Sequence, residues 1–235
     1  MVACLCLHGF TGSPMEVKPL VNFLEQYTNW KCVIPTLPGH GEKLQLQGIR
    51  FNEWIEHAEN ELKSLLQKEE TVFVIGFSMG GLIASYLAIH YPVKKLILLS
   101  PAAYYVNPPQ MWKEIKYMAS DFWKGAITKN ELFIRYIKKI KTTPIMATVQ
   151  FRKLVHHIRP LLCKVQVPTF IAQGENDGLV PVKSTCYLYE AICAKEKKLL
   201  YIKESDHLIC HCIEKERLFS EILAFLTVSQ KEETV

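Results

Sequence analysis

The residues Gly76-Phe77-Ser78-Met79-Gly80 place a serine between two glycines, after an apolar strand pattern and before an apolar helical pattern. This is the Gly-x-Ser-x-Gly spacing of a nucleophile elbow, in which the serine occupies a strained turn and its neighbours must be very small. The helix that follows offers a free N–H and the positive end of its dipole to a developing oxyanion. A tight turn without chemistry is the alternative, but the flanking strand and helix favour Ser78 as a nucleophile.

A serine nucleophile needs a general base, and the base needs an acid that orients it; in such chains the acid follows the serine and the histidine comes last. The chain has three aspartates, Asp121, Asp177 and Asp206. Asp121 falls in a helical insertion, and Asp206 adjoins the best histidine too closely to reach its far ring nitrogen. Asp177 follows the apolar run "PTFIAQG" in the loop "GENDGLVP", at the same kind of strand end as Ser78. We therefore predict Asp177 as the acid, with a loop-capping role as the alternative.

Five histidines follow the serine: His90, His156, His157, His207 and His211. His207 comes just after the last predicted strand and before the final helix. His90 ends the helix behind the serine, and His156 and His157 belong to the helical insertion. His211 is expected one turn into the final helix. We predict His207 as the base.

An oxyanion needs a second backbone N–H besides that of Met79, and this type of fold keeps it in the loop after an early strand. The segment "LHGFTG" is such a loop, bracketed by glycines, directly after the first predicted strand. We predict the N–H of Phe10 as the second donor and a structural hydrogen-bonding role for His8.

Six short β-rich runs would position these residues: "VACLCLH", "KCVIP", "TVFVIGF", "KLILLSP", "PTFIAQG" and "KLLYIKE". Amphipathic helical patterns lie between most of them, which indicates a mostly parallel sheet covered on both faces. Ligands of open α/β sheets bind at the carboxyl ends of the strands, where the candidate residues fall. The predicted fold class is therefore α/β, with a central sheet flanked by helices.

Residues 105–164 contain no strand pattern, only three helical ones, over 111–125, 129–140 and 144–157. We interpret residues 105–164 as a helical cap inserted into a core domain of residues 1–104 and 165–235. Aromatic and methionine side chains near its start suit an adaptable acyl pocket, although packing within the cap requires the same residue types. The predicted substrate-binding residues are Tyr104, Tyr105, Met111, Trp112, Met118 and Phe122.

Positive charge is concentrated in residues 111–164, which contain twelve lysines and arginines and three acidic residues. This segment has a net charge of +9, and since the whole chain has +5, the rest of the chain has −4. A solvated helical surface explains this better than an anionic partner, and we predict no nucleic-acid binding. The sequence leaves open a weak contact with lipid surfaces and does not decide between a monomer and a homodimer.

The eight cysteines are predicted to be reduced thiols, with Cys4, Cys6, Cys32 and Cys163 buried in apolar stretches. Neither Cys4 and Cys6 nor the segment "CHC" at 210–212 has the spacing of a closed zinc site, so no metal is expected. The apolar runs are too short to span a bilayer, and residues 1–8 resemble a first strand rather than a signal peptide. We therefore predict a cytoplasmic protein without stable membrane insertion.

The segments "HGFTG", "PTLPGHG", "GFSMGG", "GENDGLVP" and "SDHLI" occur in this order over nearly the whole chain. Together they resemble bacterial carboxylesterases and monoacylglycerol lipases of the α/β-hydrolase fold. The resemblance implies Ser78, Asp177 and His207 as a catalytic triad, Phe10 and Met79 as oxyanion donors, a lid-like cap and no cofactor. Such enzymes usually have a strand before the one that here starts at residue 2, so a shortened sheet edge or a truncated chain is expected.

The expected activity is hydrolysis of a small-molecule acyl ester through an acyl-enzyme on Ser78. Short-to-medium acyl chains are expected, with monoacylglycerols among the substrates. A thioesterase or a carbon–carbon-bond hydrolase would use the same triad and is the alternative. A non-enzymatic binding protein of this fold normally lacks a triad member, which makes it the weakest interpretation.

Overall fold

A computed structural model describes residues 1–103 and 143–228 of the 235-residue chain. The strands are β1 (Val2–Leu7), β2 (Lys31–Val33), β3 (Thr71–Phe77), β4 (Lys95–Leu99), β5 (Thr169–Gly174) and β6 (Lys197–Ile202). The α-helices of the described ranges are α1 (Lys18–Tyr27), α2 (Phe51–Leu66), α3 (Met79–His90), α4 (Ile145–Ile158), α5 (Val182–Ala191) and α6 (Lys215–Thr227). Three short 3₁₀ turns cover Pro14–Glu16, Arg159–Lys164 and Ile209–His211.

The six strands form one sheet in the order β2-β1-β3-β4-β5-β6, and every neighbouring pair is parallel. All six predicted β-rich runs form strands of this sheet, so the predicted fold class is confirmed. Because the strands are parallel, their carboxyl ends lie along one edge of the sheet. The residues that follow β1, β3, β5 and β6 therefore meet at that edge.

Strand residues alternate between two hydrophobic layers, as the period of two in a β-strand requires. Leu5 and Leu7 of β1 pack with α2, α3, α4 and α5 on one face. Cys4 and Cys6 pack with α1 and α6 on the other face. Helix α3, which follows the candidate serine, is buried on almost all sides, and this explains its apolar sequence.

Helix α4 confirms the third helical pattern of the predicted insertion, to within about a residue at each end. Its buried residues Ala147, Leu154 and Ile158 join the same hydrophobic layer as α2 and α3. The patterns over 111–125 and 129–140 lie outside the described residues. The boundaries of the cap stay a prediction.

All eight cysteines are free thiols. Cys4 and Cys6 are buried as predicted, and Cys32 is partly buried. The prediction is wrong for Cys163, which is exposed because it points outward from the 3₁₀ turn after α4, in which Leu162 is the buried residue. In residues 1–103 and 143–228, no helix combines the length and apolarity needed to cross a bilayer.

Candidate active site

Ser78 occupies the sharp turn between β3 and α3 with φ 54° and ψ −116°, outside the regions that non-glycine residues favour. Such a conformation costs about 1–3 kcal/mol and persists only when the surroundings enforce it. Here the Ser78 N–H donates to the carbonyl of Leu99 at the end of β4 (2.8 Å), and its carbonyl accepts the N–H of Gly81 (3.0 Å). The neighbouring strand and the first turn of α3 thus hold the serine in place.

The two glycines of the motif have a steric role. A Cβ at Gly76 would collide with the backbone of Gly80, and a Cβ at Gly80 would lie 2.5 Å from the carbonyl oxygen of Leu7 and 2.6 Å from that of His8. Helix α3 therefore approaches the end of β1 more closely than any side chain allows. This contact brings the loop after β1 directly beside the serine.

The structure brings together the three residues that the sequence singled out. His207 Nε2 lies 3.0 Å from Ser78 Oγ, and His207 Nδ1 lies 2.7 Å from Asp177 Oδ2. The side chains of His207 and Asp177 are almost completely buried, and Ser78 is 4% exposed. The hydrogen bond from Nδ1–H to the carboxylate leaves Nε2 as the acceptor that faces the serine hydroxyl. The arrangement has the geometry of a nucleophile, a base and an orienting acid.

The carboxylate of Asp177 is saturated with hydrogen bonds. Oδ1 accepts the N–H groups of Leu179 and Val180, both at 2.9 Å. Oδ2 accepts the side-chain amide of Gln173 at 2.6 Å in addition to His207. The local loop bonds explain why an aspartate, with its short side chain, stands here: it caps its own turn while it faces the histidine.

Two opposing effects act on the pKa of His207. Burial lowers it, because the imidazolium loses its hydration. The negative charge of Asp177 and its hydrogen bond to Nδ1 raise it, with smaller contributions from Glu16 and Asp206. The net shift is upward. The site therefore stabilises the protonated imidazole, the form that a base reaches after it accepts a proton.

Of the two predicted oxyanion donors, Met79 follows the serine in the chain and Phe10 follows Gly9 in the loop after β1. A Cβ on Gly9 would lie 3.1 Å from the Cβ of Ser78, so the loop after β1 is in van der Waals contact with the nucleophile. Met79 is the first residue of α3. Among the hydrogen bonds of the described residues, none has the N–H of Phe10 or of Met79 as its donor. The assignment of these two N–H groups to an oxyanion hole stays a prediction.

Two buried polar side chains fix this loop. The Oε2 atom of Glu16, in the 3₁₀ turn that follows, accepts the N–H of Gly9 at 2.8 Å. His8 Nε2 accepts the N–H of Leu37 at 3.0 Å, and its Nδ1 lies 2.9 Å from the carbonyl oxygen of Gly9. The structural role predicted for His8 agrees with these bonds, since both ring nitrogens are engaged by backbone.

The ring of Phe10 lies in an aromatic cluster. It stacks on Phe151 of α4 with a centroid distance of 5.0 Å and an interplanar angle of 15°, and it contacts Trp54 of α2 edge-on at 5.9 Å. His40 contacts the rings of both Phe10 and Trp54. Helix α4, the third helix of the predicted cap, thus contacts the loop after β1 through Phe151.

The other candidates fall elsewhere. Asp206 caps a local turn through the N–H of Leu208 (2.9 Å), and His211 Nε2 lies 3.0 Å from the carbonyl oxygen of Met15. His211 lies in a 3₁₀ turn before α6 rather than within the final helix, contrary to the prediction, because that helix starts at Lys215. His90, His156 and His157 are exposed. Outside the described residues lie Asp121 and all six predicted substrate-binding residues: Tyr104, Tyr105, Met111, Trp112, Met118 and Phe122.

Sequence reasoning missed Gln173, Glu16 and Phe151. The sequence contained an indication of Gln173, because this residue is an amide in an otherwise apolar stretch four residues before Asp177. Glu16 had a weaker signal, as an acidic residue shortly after the glycine-rich loop. Phe151 had none, since one aromatic residue in an amphipathic helix does not reveal what it stacks on.

Comparison with known proteins places this chain in a family. A family model described as serine aminopeptidase, S33 matches residues 2–215. A thermostable monoacylglycerol lipase from Bacillus sp. (strain H-257) is 26% identical over 215 residues, covering 88% of this chain and 82% of that protein. A carboxylesterase from Bacillus subtilis (strain 168) is 24% identical over 228 residues, covering 95% and 92%.

Solved structures show the same fold. A metagenome-derived lipolytic enzyme superposes with a TM-score of 0.78 at 21% identity, covering 96% of this chain and 93% of the other. The monoacylglycerol lipase of Paleococcus ferrophilus gives a TM-score of 0.71 at 17% identity, covering 95% and 93%. The predicted resemblance to carboxylesterases and monoacylglycerol lipases is therefore confirmed. Since the family model spans nearly the whole chain, this protein belongs to the serine aminopeptidase S33 family of α/β-hydrolases.

Proposed function

We propose that this protein is a carboxylic ester hydrolase that works through an acyl-enzyme on Ser78. The observation that carries the proposal is the continuous hydrogen-bonded chain from Asp177 through His207 to Ser78, with distances of 2.7 and 3.0 Å. Burial of all three residues supports it, because a dry site strengthens the interactions that move the proton. The names of the two Bacillus relatives point to the same reaction class.

In the acylation half, His207 Nε2 takes the hydroxyl proton of Ser78 as Oγ attacks the ester carbonyl carbon. The N–H groups of Phe10 and Met79 donate to the tetrahedral oxyanion, and His207 then protonates the departing alcohol. In the second half, His207 deprotonates a water that attacks the acyl-enzyme. Collapse of the second intermediate releases the carboxylic acid and returns the proton to Ser78.

The proposed substrates are esters of short-to-medium acyl chains, monoacylglycerols included. The stacked rings of Phe10 and Phe151, which are partly exposed and packed near the buried Trp54, support an apolar acyl-binding wall, since such rings suit alkyl chains. A panel of p-nitrophenyl esters and monoacylglycerols of increasing acyl length tests this. A preference for acetyl esters, or faster turnover of acyl-CoA thioesters, would contradict the substrate assignment.

The reaction itself is tested with a fluorophosphonate probe, which reacts covalently with activated serines. The wild-type protein should be labelled and should hydrolyse p-nitrophenyl butyrate, and Ser78→Ala should lose both properties. Removal of a triad member lowers turnover by several powers of ten and leaves only oxyanion and binding effects. Ordinary turnover by Ser78→Ala would exclude the mechanism. Ser220→Ala, an exposed serine on α6, is the control and should behave like the wild type.

A weak contact with anionic lipid surfaces is part of the proposal. Helix α4 exposes Ile145 and Met146 (83% and 62%) together with Arg152 and Lys153, and this combination suits an interfacial helix. Hydrolysis of a monoacylglycerol in vesicles should be faster with anionic than with neutral lipid, and salt should reduce the difference. Equal rates on both vesicles would contradict it. A cytoplasmic location, with the eight thiols reduced, also stays a proposal.

A further inference from the structure

Gln173 is the penultimate residue of β5, completely buried, and both ends of its amide are hydrogen-bonded. Nε2 donates to Asp177 Oδ2 (2.6 Å) and to the carbonyl oxygen of Val180 (3.2 Å). Oε1 accepts the hydroxyl of Thr185 on α5 (2.7 Å). A buried amide with these bonds has one orientation, because an ionised carboxylate only accepts and must face the NH₂ group.

The contacts of Asp177 show what this amide adds. The N–H groups of Leu179 and Val180 bind Oδ1 and belong to the same short loop as Asp177, so they restrain the carboxylate only relative to that loop. Gln173 binds Oδ2, the oxygen that also faces His207. Its backbone is part of β5, which lies in the sheet between β4 and β6. The amide thus ties the histidine-facing oxygen to the rigid sheet.

Thr185 completes the arrangement. It is completely buried, and its hydroxyl fixes Oε1 so that the NH₂ group of Gln173 stays directed at Asp177. Loss of this hydroxyl would leave Oε1 buried without a donor, which is costly. A chain of contacts therefore runs from α5 through Thr185 and Gln173 to Asp177 and on to His207.

We propose that Gln173 is a positioning residue for the proposed triad: it holds Asp177 Oδ2 toward His207, and Thr185 sets the direction of its amide. This inference rests on the proposed ester hydrolysis. Since Gln173 acts through Asp177 and does not touch substrate, its loss should affect the chemical step and leave substrate binding unchanged. A misdirected catalytic group of this kind costs about 10- to 100-fold in rate.

The test is a double-mutant cycle on p-nitrophenyl butyrate hydrolysis with Gln173→Leu and Asp177→Asn, each alone and combined. Gln173→Leu should lower kcat about 10- to 100-fold with KM unchanged. In the Asp177→Asn background the same change should lower kcat less than about threefold, because the oxygen it positions no longer carries the charge. An equal factor in both backgrounds would overturn the inference, since a general packing defect acts independently of Asp177.

Thr185 variants keep the test informative if Gln173→Leu fails to fold. Thr185→Val removes the hydroxyl at nearly constant volume and should also lower kcat. Thr185→Ser keeps a hydroxyl and should restore kcat. Unchanged kcat in Thr185→Val would overturn the role of Thr185 in the proposal. Absence of turnover and of fluorophosphonate labelling in the wild type would overturn the proposed function together with this inference. A fully active wild type with a Gln173→Leu effect on KM alone would overturn only the inference.

Discussion

At the scale of single residues, each of the three side chains of the site is held by different surroundings. Ser78 is held in a backbone conformation that few residues adopt, and this conformation lets its Oγ face His207. The carboxylate of Asp177 is buried, and it accepts hydrogen bonds from the backbone N–H groups of Leu179 and Val180. His207 stands between them, and its pKa is shifted upward, because burial lowers the pKa less than the charge and hydrogen bond of Asp177 raise it.

The pH dependence of ester hydrolysis follows from this shift. The proposed mechanism needs neutral His207 as the base, and a raised pKa keeps the ring protonated to higher pH. The acid limb of kcat/KM should therefore have its midpoint above about 6.5, the ordinary pKa of histidine. Rate measurements between pH 5 and 9, on the order of one point per half unit, define the limb.

Asp177→Asn checks the cause of the shift. It removes the charge that raises the pKa of His207 and leaves the burial that lowers it, so the limb should move to lower pH. The rate should also fall by roughly 10³- to 10⁴-fold, because the amide favours the wrong tautomer. Asp206→Asn is the matched control, since Asp206 makes a smaller contribution and should leave the limb near the wild-type position. An unchanged limb in Asp177→Asn would refute the assigned cause.

At the scale of elements, parallel strands place the loops and helices that the site needs, and two lysines, Lys95 buried and Lys197 partly buried, hold the ends of two of those helices. The Lys95 side chain on β4 donates to the carbonyl oxygens of Phe225 and Val228, both at 2.6 Å, at the carboxyl end of α6. Lys197 on β6 does the same for the end of α5 through Tyr189 and Ile192. A cation at this end of a helix binds its last free carbonyl groups and complements the dipole.

Lys95→Met should therefore lower the free energy of unfolding. The loss of two charged hydrogen bonds to carbonyl groups at the end of α6 is expected to cost about 2–4 kcal/mol, measured by urea denaturation. Lys198→Met is the control: its ion pair with Glu221 (2.6 Å) is about 40% exposed on both sides, and such pairs contribute about 0–1 kcal/mol. Equal costs for the two substitutions would show that Lys95 does not act as a cap. Turnover of the folded fraction should stay unchanged in both.

At the scale of the whole molecule, the site is assembled from parts far apart in the chain. The loop that contains Phe10 follows β1, Ser78 follows β3, Asp177 follows β5 and His207 follows β6. Helix α4 of the predicted cap adds Phe151, whose ring stacks on Phe10. The packing of α4 is therefore linked to the loop after β1 through this aromatic pair.

Phe151→Ala tests this link. An aromatic pair contributes about 0.5–1.5 kcal/mol beyond its burial, so a less firmly held Phe10 should lower kcat/KM by up to about tenfold. Lys153→Ala on the exposed side of the same helix should leave kcat/KM unchanged. If Phe151→Ala hydrolyses esters like the wild type, the stack does not support the loop. Steady-state kinetics on p-nitrophenyl butyrate decide between the two outcomes.

The sequence by itself determined the strands and the candidate triad. Alternation of apolar runs with amphipathic helices depends on local periodicity, and the motif around Ser78 needs only its two glycines and its flanking elements. Asp177 and His207 followed from the order of strands along the chain, because parallel strands bring their carboxyl ends to one edge. No contact between distant side chains had to be known for these assignments.

The tertiary structure decided which side chains support that site. Only packing shows that the amide of Gln173 faces Asp177, that Phe151 reaches Phe10 and that Lys95 caps α6. It also shows that Cys163 is exposed, because apolar neighbours in the sequence do not determine which face of a turn is buried. The periodicity of a sequence predicts the secondary structure of one segment, whereas these contacts join residues on different elements. Their geometry exists only once the sheet has brought those elements together.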